Sequence, residues 1–111
     1  MHKLMGYELH ITRAESHAEN AGREITAEEW LRYVASDPEL RLMPANGKYF
    51  ARWNGKSKYL DPWFDWFEGN IDTKNPDKAI VGKMIEIARR LGARVQGDDG
   101  EFYNDASEFP D

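Results

Sequence analysis

The segment NPDKAIVGKMIEIARRLGA, residues 75–93, constrains the fold most strongly because its apolar residues recur with the period of an α-helix. Asn75 is predicted to be the N-cap, Pro76 the first helical residue and Gly92 the residue just beyond the helix. The apolar stripe consists of Ile80, Val81, Met84, Ile85, Ile87, Ala88 and Leu91. A stripe this broad has to be buried against another layer of structure.

A second helix is predicted in ITAEEWLRYVAS, residues 25–36. Thr26 and Glu29 have the spacing of a capping box, in which each side chain accepts a hydrogen bond from a backbone amide of the other residue. The helix is expected to end at Asp37, because a residue that precedes proline avoids the α-helical region and Pro38 follows.

The remaining apolar segments predict strands. In GYELHITR, residues 6–13, the side chains of Tyr7, Leu9 and Ile11 alternate with polar ones, which is typical of a strand with one buried face. The Asn46–Gly47 pair favours a two-residue hairpin turn. Further extended segments are predicted at residues 40–55 on both sides of that turn, and at 59–72, 93–97 and 101–103.

The predicted order is therefore β-α-β-β-β-α-β-β, without an internal repeat. Antiparallel hairpins dominate this order, so the predicted class is α+β, an antiparallel sheet with two helices packed on one face. The 111 residues fit a single domain, 1–111, with flexible ends at residues 1–4 and 104–111.

The charge is distributed unevenly. Residues 98–111 hold six acidic residues and no basic one, whereas residues 1–97 hold 14 acidic and 15 basic residues. An acidic end repels phosphate backbones, so we expect no nucleic-acid partner and favour a basic protein as partner. No apolar run reaches the ~20 residues of a membrane helix. The segment MHKLMGYELH lacks the apolar core of a signal peptide, so we expect a cytoplasmic protein without membrane contact.

The residues suited to chemistry are few. The chain has no cysteine, which excludes thiolate nucleophiles and thiolate metal ligands. His10, flanked by Glu8 and Thr12 on the polar face of the first strand, has the surroundings of a general base, but a solvated cross-strand pair is the favoured interpretation. His17 is assigned to a loop. The segment GDDGE, residues 97–101, favours a turn, since it lacks the ligand spacing of a calcium loop. No catalytic residue, metal site or cofactor is predicted.

The segment PWFDWFEGN, residues 62–70, carries aromatic side chains on both faces of one predicted strand. Trp63 and Asp65 share one face, whereas Trp66 lies on the other. Two interpretations remain open: the helices cover one face and a partner the other, or one set of rings is half exposed. Asp65 among these rings is unfavourable unless it is paired.

Taken together, the motifs GYELHITR, WFDW, GNIDTKNP and LGARVQGDDGEFY resemble a family of small, cysteine-free bacterial proteins, some of which confer immunity to secreted antibacterial toxins. The resemblance covers roughly residues 5–103. It implies a cytoplasmic protein that binds and silences a toxin, often a nuclease delivered by a type VI or similar secretion system. It carries over no functional residue.

Two functional hypotheses follow. In the first, the chain is a non-catalytic inhibitor, and acidic and aromatic residues contact a basic toxin. The residues expected to bind this partner are Asp98, Asp99, Glu101, Tyr103, Asp105, Trp63, Asp65 and Trp66. A solvated tail that only adds solubility is the alternative interpretation of the acidic end. In the second hypothesis, the chain is a small enzyme or ligand-binding domain that uses His10 and Glu8, and it has a concave pocket beside the first strand.

Overall fold

A computed structural model describes residues 7–110 of the chain. The two helices are α1 (Ala27–Ser36) and α2 (Lys78–Arg90). The strands are β1 (Glu8–Thr12), β2 (Leu40–Leu42), β3 (Phe50–Trp53), β4 (Trp63–Phe67), β5 (Asn70–Lys74), β6 (Arg94–Gly97) and β7 (Phe102–Tyr103). Within these residues, no helix is long and apolar enough to cross a membrane.

The strands form one seven-stranded sheet in the order β2-β3-β4-β5-β1-β6-β7, and every neighbouring pair is antiparallel. Strand β1 lies near the centre of the sheet because β5 and β6 pair with its two sides. Both helices contribute to a single apolar core against one sheet face, where Leu9 and Ile11 of β1 meet Trp30 of α1 and Met84 of α2. The predicted α+β class is confirmed.

The order of elements differs from the prediction by one strand. Residues 59–72 were predicted as one extended segment, but the structure divides this region into β4 and β5. Glu68 and Gly69 form the turn between them, with φ of 49° and 88°. Two successive positive φ values are typical of the tight turns that suit a twisted hairpin. The prediction of a two-residue hairpin turn at Asn46–Gly47 was wrong. Strands β2 and β3 are joined by a longer loop, in which Asn46 N donates to Met43 O.

The helix starts are defined by side-chain caps. The predicted capping box of α1 is present, since Thr26 Oγ1 accepts from Glu29 N at 3.0 Å and Glu29 Oε1 from Thr26 N at 2.8 Å. Helix α2 starts later than predicted. Asp77, not Asn75, is its N-cap and accepts from Ile80 N at 2.9 Å. The amide of Asn75 instead donates to Tyr7 O and extends the β1–β5 pairing.

The C-terminal segment is packed against the domain, although we expected a flexible end. Residues Ala106–Glu108 form a short 3-10 turn, capped by Asp105, which accepts from Ser107 N at 2.8 Å. The ring of Phe109 is buried against Tyr7 and Tyr103. Residues 1–4, the other predicted flexible end, lie outside the described residues.

Candidate functional site

The sheet face opposite the helices, called the outer face below, carries most of the polar groups of interest. The registers of the strands place one row of residues across it. In order from β3 to β7, the row is Phe50, Asp65, Asp72, His10, Gln96 and Phe102. Alternation along β1 produces this arrangement, because it directs Leu9 and Ile11 to the helices and His10 away from them.

His10 is held between two carboxylates. Its Nδ1 lies 2.7 Å from Asp72 Oδ1, and its Nε2 lies 3.0 Å from Asp98 Oδ1. Burial, which leaves the residue 5% exposed, by itself lowers the pKa of His10, but the hydrogen bonds and charges of the two carboxylates outweigh burial and raise it. With both nitrogens protonated, the imidazolium donates to Asp72 and to Asp98.

His17 covers His10. The two imidazole rings are stacked with centroids 3.7 Å apart and planes 11° apart. The pKa of His17 is lowered by burial and by the neighbouring charge of His10. His17 lies in the loop of residues 13–24, which crosses the outer face after β1. A substrate could therefore reach the ring of His10 only if His17 moved.

Two buried amide side chains fix the position of His17. Gln96 Oε1 accepts from His17 N at 2.7 Å, and Asn70 Nδ2 donates to His17 O at 2.9 Å. Gln96 Nε2 also donates to Glu15 O and to Gly100 O, each at 3.0 Å. The single side chain of Gln96 therefore connects the His17 loop to the turn that carries Asp98.

The acidic turn of residues 97–101 and strand β7, which follows it, are hydrogen-bonded to the rest of the domain. Asp98 Oδ2 accepts from Glu8 N at 2.8 Å, in addition to the contact of Oδ1 with His10. Glu101 Oε2 accepts from Tyr7 OH at 2.6 Å and from Tyr103 OH at 2.9 Å. Although burial raises it, the pKa of Glu101 is lowered on balance by these hydroxyl donors and by backbone amides. Tyr103 is itself a core residue.

The aromatic residues of β3 and β4 divide between the two faces. Trp63 lies on the outer face and stacks on Phe50 with ring centroids 5.2 Å apart. Both rings line a shallow cavity of about 530 Å³. Trp66 lies on the helix side, where its Nε1 donates to Ile25 O at 2.8 Å. Phe67, at the end of β4, is 62% exposed.

Asp65 is half-buried beside these rings and faces Asp72 across the β4–β5 ladder. Burial and the negative charge of Asp72 raise its pKa. Among residues 7–110, no ion pair joins Asp65 to a basic side chain. A backbone hydrogen bond from Trp66 offsets these two effects only in part, so the carboxylate of Asp65 has no compensating positive charge among the described residues.

The predicted site residues are thus only partly brought together. Trp63, Asp65 and Asp98 share the outer face, whereas Trp66 and Tyr103 pack on the helix side. The other three lie at the β7 end of the sheet, where Asp99 and Asp105 are exposed and Glu101 is half-buried.

Sequence reasoning missed four residues around His10, namely His17, Asn70, Asp72 and Gln96. The alternation of β5 was a usable signal for Asp72, but nothing local indicated that His17 would stack on His10.

Comparison with known proteins adds no assignment, since no protein family, curated protein or solved structure matches the chain. The family resemblance of the motifs therefore stays an expectation.

Proposed function

We propose that the chain is an immunity-type protein that binds and neutralises a basic bacterial toxin, such as a secreted nuclease, through the outer face of its sheet. The observation that carries this proposal is the aromatic patch, defined as Phe50, Trp63 and Phe67, beside the uncompensated carboxylate of Asp65.

The aromatic patch has the composition of an interface centre. Large aromatic side chains that stay accessible in the free protein are the residues that most often dominate binding energies. Phe67 is 62% exposed, and Leu60, in the loop that precedes β4, is 88% exposed. Burying such groups under a partner contributes about 1.5–3 kcal/mol for each side chain that becomes fully covered.

The charges beside the patch favour a basic partner. Asp65 and Asp72 face each other on neighbouring strands, an arrangement that is unfavourable for like charges. His10 compensates Asp72 but lies one strand further from Asp65. An arginine or lysine of a partner would compensate Asp65, and the formal net charge of −5 would speed the approach of a basic protein.

Catalysis is not part of the proposal. Both ring nitrogens of His10 are bonded to carboxylates, and the ring of His17 covers it, so His10 has no free nitrogen with which to accept a substrate proton. Glu8 contributes its backbone amide to Asp98, and its carboxylate lies 3.8 Å from Lys74 Nζ.

The experiment uses the protein encoded immediately upstream of this chain in its genome. That protein is expressed alone and with the chain in a heterologous bacterium, growth is measured, and the affinity of the purified pair is determined by calorimetry. We expect growth arrest by the upstream protein alone, rescue by the chain, and a 1:1 complex. An upstream protein that is harmless or unbound would refute the proposal.

The variants Phe67→Ser and Asp65→Lys locate the interface. Phe67→Ser is expected to weaken binding about 30-fold, which corresponds to the 2 kcal/mol of an interface hot spot. Glu28→Lys, which reverses a charge on the exposed side of α1, is the matched control for Asp65→Lys and should bind normally. Equal affinity of all three variants would show that a different surface is used.

A further inference from the structure

From the geometry around His10, we infer that His10, His17 and Asp98 bind a divalent transition-metal ion, with Zn²⁺ as the expected occupant. The donor atoms of these three residues all lie within 4.8 Å of one another. This inference goes beyond the proposed toxin binding and does not depend on it.

The donors have the chemistry and spacing of a metal site. Two imidazole nitrogens and one carboxylate oxygen form a set that zinc accepts, with a fourth position left for water or another ligand. Zn²⁺ binds such atoms at about 2.0–2.2 Å, so two of them on one tetrahedral ion are about 3.3 Å apart. His10 Nε2 and Asp98 Oδ1 are already 3.0 Å apart.

Asp72 supplies the outer contact that histidine ligands of metals usually have. Its Oδ1 lies 2.7 Å from His10 Nδ1, so it accepts the Nδ1 proton and directs Nε2 toward Asp98 and His17. Such a carboxylate orients the ring and increases the basicity of the ligating nitrogen. The metal takes the place of the Nε2 proton, which is released to solvent on binding.

The backbone of His17 is positioned before any ion arrives. Gln96 and Asn70, both buried, bond to the amide and the carbonyl of His17 in a loop that otherwise lacks regular structure. These two amides fix the backbone of His17 only; its ring is stacked on that of His10, so it has to turn about its side-chain torsions to direct a nitrogen at the ion. The same Gln96 also bonds to Gly100 in the turn of Asp98, so one side chain positions two of the three ligand segments.

A second group of possible ligands, Glu8, His10 and Asp72, lies on the Nδ1 side of His10. It would require the proton between Nδ1 and Asp72 to be removed, and it contains only one imidazole. Glu8→Gln therefore separates the two sites, because it removes a ligand of the second group and leaves the first group complete.

The test is calorimetric titration of the chelator-treated protein with ZnCl₂, together with the visible absorption spectrum after addition of Co²⁺. We expect one ion per chain. We expect His17→Ala and Asp98→Asn to lower the affinity at least tenfold, since each removes one ligand, and we expect His2→Ala and Glu8→Gln to bind as the parent protein does. His2→Ala is the control for histidine content.

Circular dichroism and thermal melting establish that the variants are folded. His17 lies in a loop, so His17→Ala keeps the core intact. The inference would be overturned by absence of saturable binding of Zn²⁺ or Co²⁺, by unchanged affinity in folded His17→Ala, or by an equal loss in His2→Ala. Failure of toxin binding would leave these results unaffected, so the two proposals fail separately.

Discussion

Replacement of Gln96 by methionine is predicted to have two effects at once: it destabilises the domain, and it detaches the loop of residues 13–24, which carries His17, from the sheet. Gln96 is 2% exposed and makes three hydrogen bonds to backbone groups, those of Glu15, His17 and Gly100. Methionine has a similar length but can neither donate nor accept these bonds well. At about 1 kcal/mol for each bond, the loss is about 3 kcal/mol. For a domain of this size, this lowers the melting temperature by roughly 12 °C.

The assay is urea unfolding followed by tryptophan fluorescence, combined with amide hydrogen exchange of His17. The matched variant is Thr73→Val, which removes one buried hydrogen bond, from Thr73 Oγ1 to Trp63 O at 2.7 Å, on the helix side of the sheet. It should lose about 1 kcal/mol and keep the His17 amide protected. A loss below about 1 kcal/mol in Gln96→Met, with a protected His17 amide, would refute the assigned role of this side chain.

Two further predictions concern the charged groups that support the helices. Lys83→Met should cost about 3–5 kcal/mol in urea unfolding because it leaves the buried carboxylate of Asp37 without its cation, 2.8 Å away; a loss below about 1 kcal/mol would contradict this. Hydrogen bonds from Arg13, and next from the backbone amide of Thr26, lower the pKa of Glu29 from 4.5 to about 2, so this stabilisation is present above pH 4.5 and is lost as the pH falls through about 2. Because this pair is partly exposed, Arg13→Gln should remove only about 1 kcal/mol at pH 7 and flatten this acid dependence, whereas an unchanged pH profile would refute the pairing.

The secondary structure was largely predictable because periodicity is a local property. The alternation around Leu9 and the stripe around Met84 identified β1 and α2. The errors fell at turns and helix caps, where several neighbouring residues have suitable side chains for the same position. Asn75 and Asp77 are both suitable N-caps, and only the pairing of Asn75 N with Tyr7 O decides between them. The β4–β5 turn could not be predicted from Glu68, because glutamate rarely adopts the positive φ that it has there.

The candidate site was far less predictable because its contacts are long-range. His10 meets Asp72 and Asp98 across 62 and 88 residues of sequence. Strand order decides these contacts, and a single sequence does not specify which strands are neighbours. Pairing of β1 with both β5 and β6 brings them together.

The acidic C-terminal segment has structural roles that composition did not reveal. Asp98 accepts from the backbone of β1, and Glu101 accepts from two tyrosine hydroxyls. Asp105 and Glu108 cap the 3-10 turn. Much of the charge asymmetry therefore serves folding, and for this reason the toxin-binding proposal depends on the aromatic patch and Asp65 more than on the tail.

The indole N–H signals of the four tryptophans give the most direct test of the proposed docking surface. In the free protein, Trp30 Nε1 donates to Tyr49 O beneath α1, and Trp66 Nε1 donates to Ile25 O, so both indoles belong to the helix side. Trp63 lies on the outer face. When the protein encoded immediately upstream is added to the ¹⁵N-labelled chain, we predict that the Trp63 signal shifts most and that the Trp30 signal stays in place. Formation of a stable complex with an unshifted Trp63 signal would contradict the account.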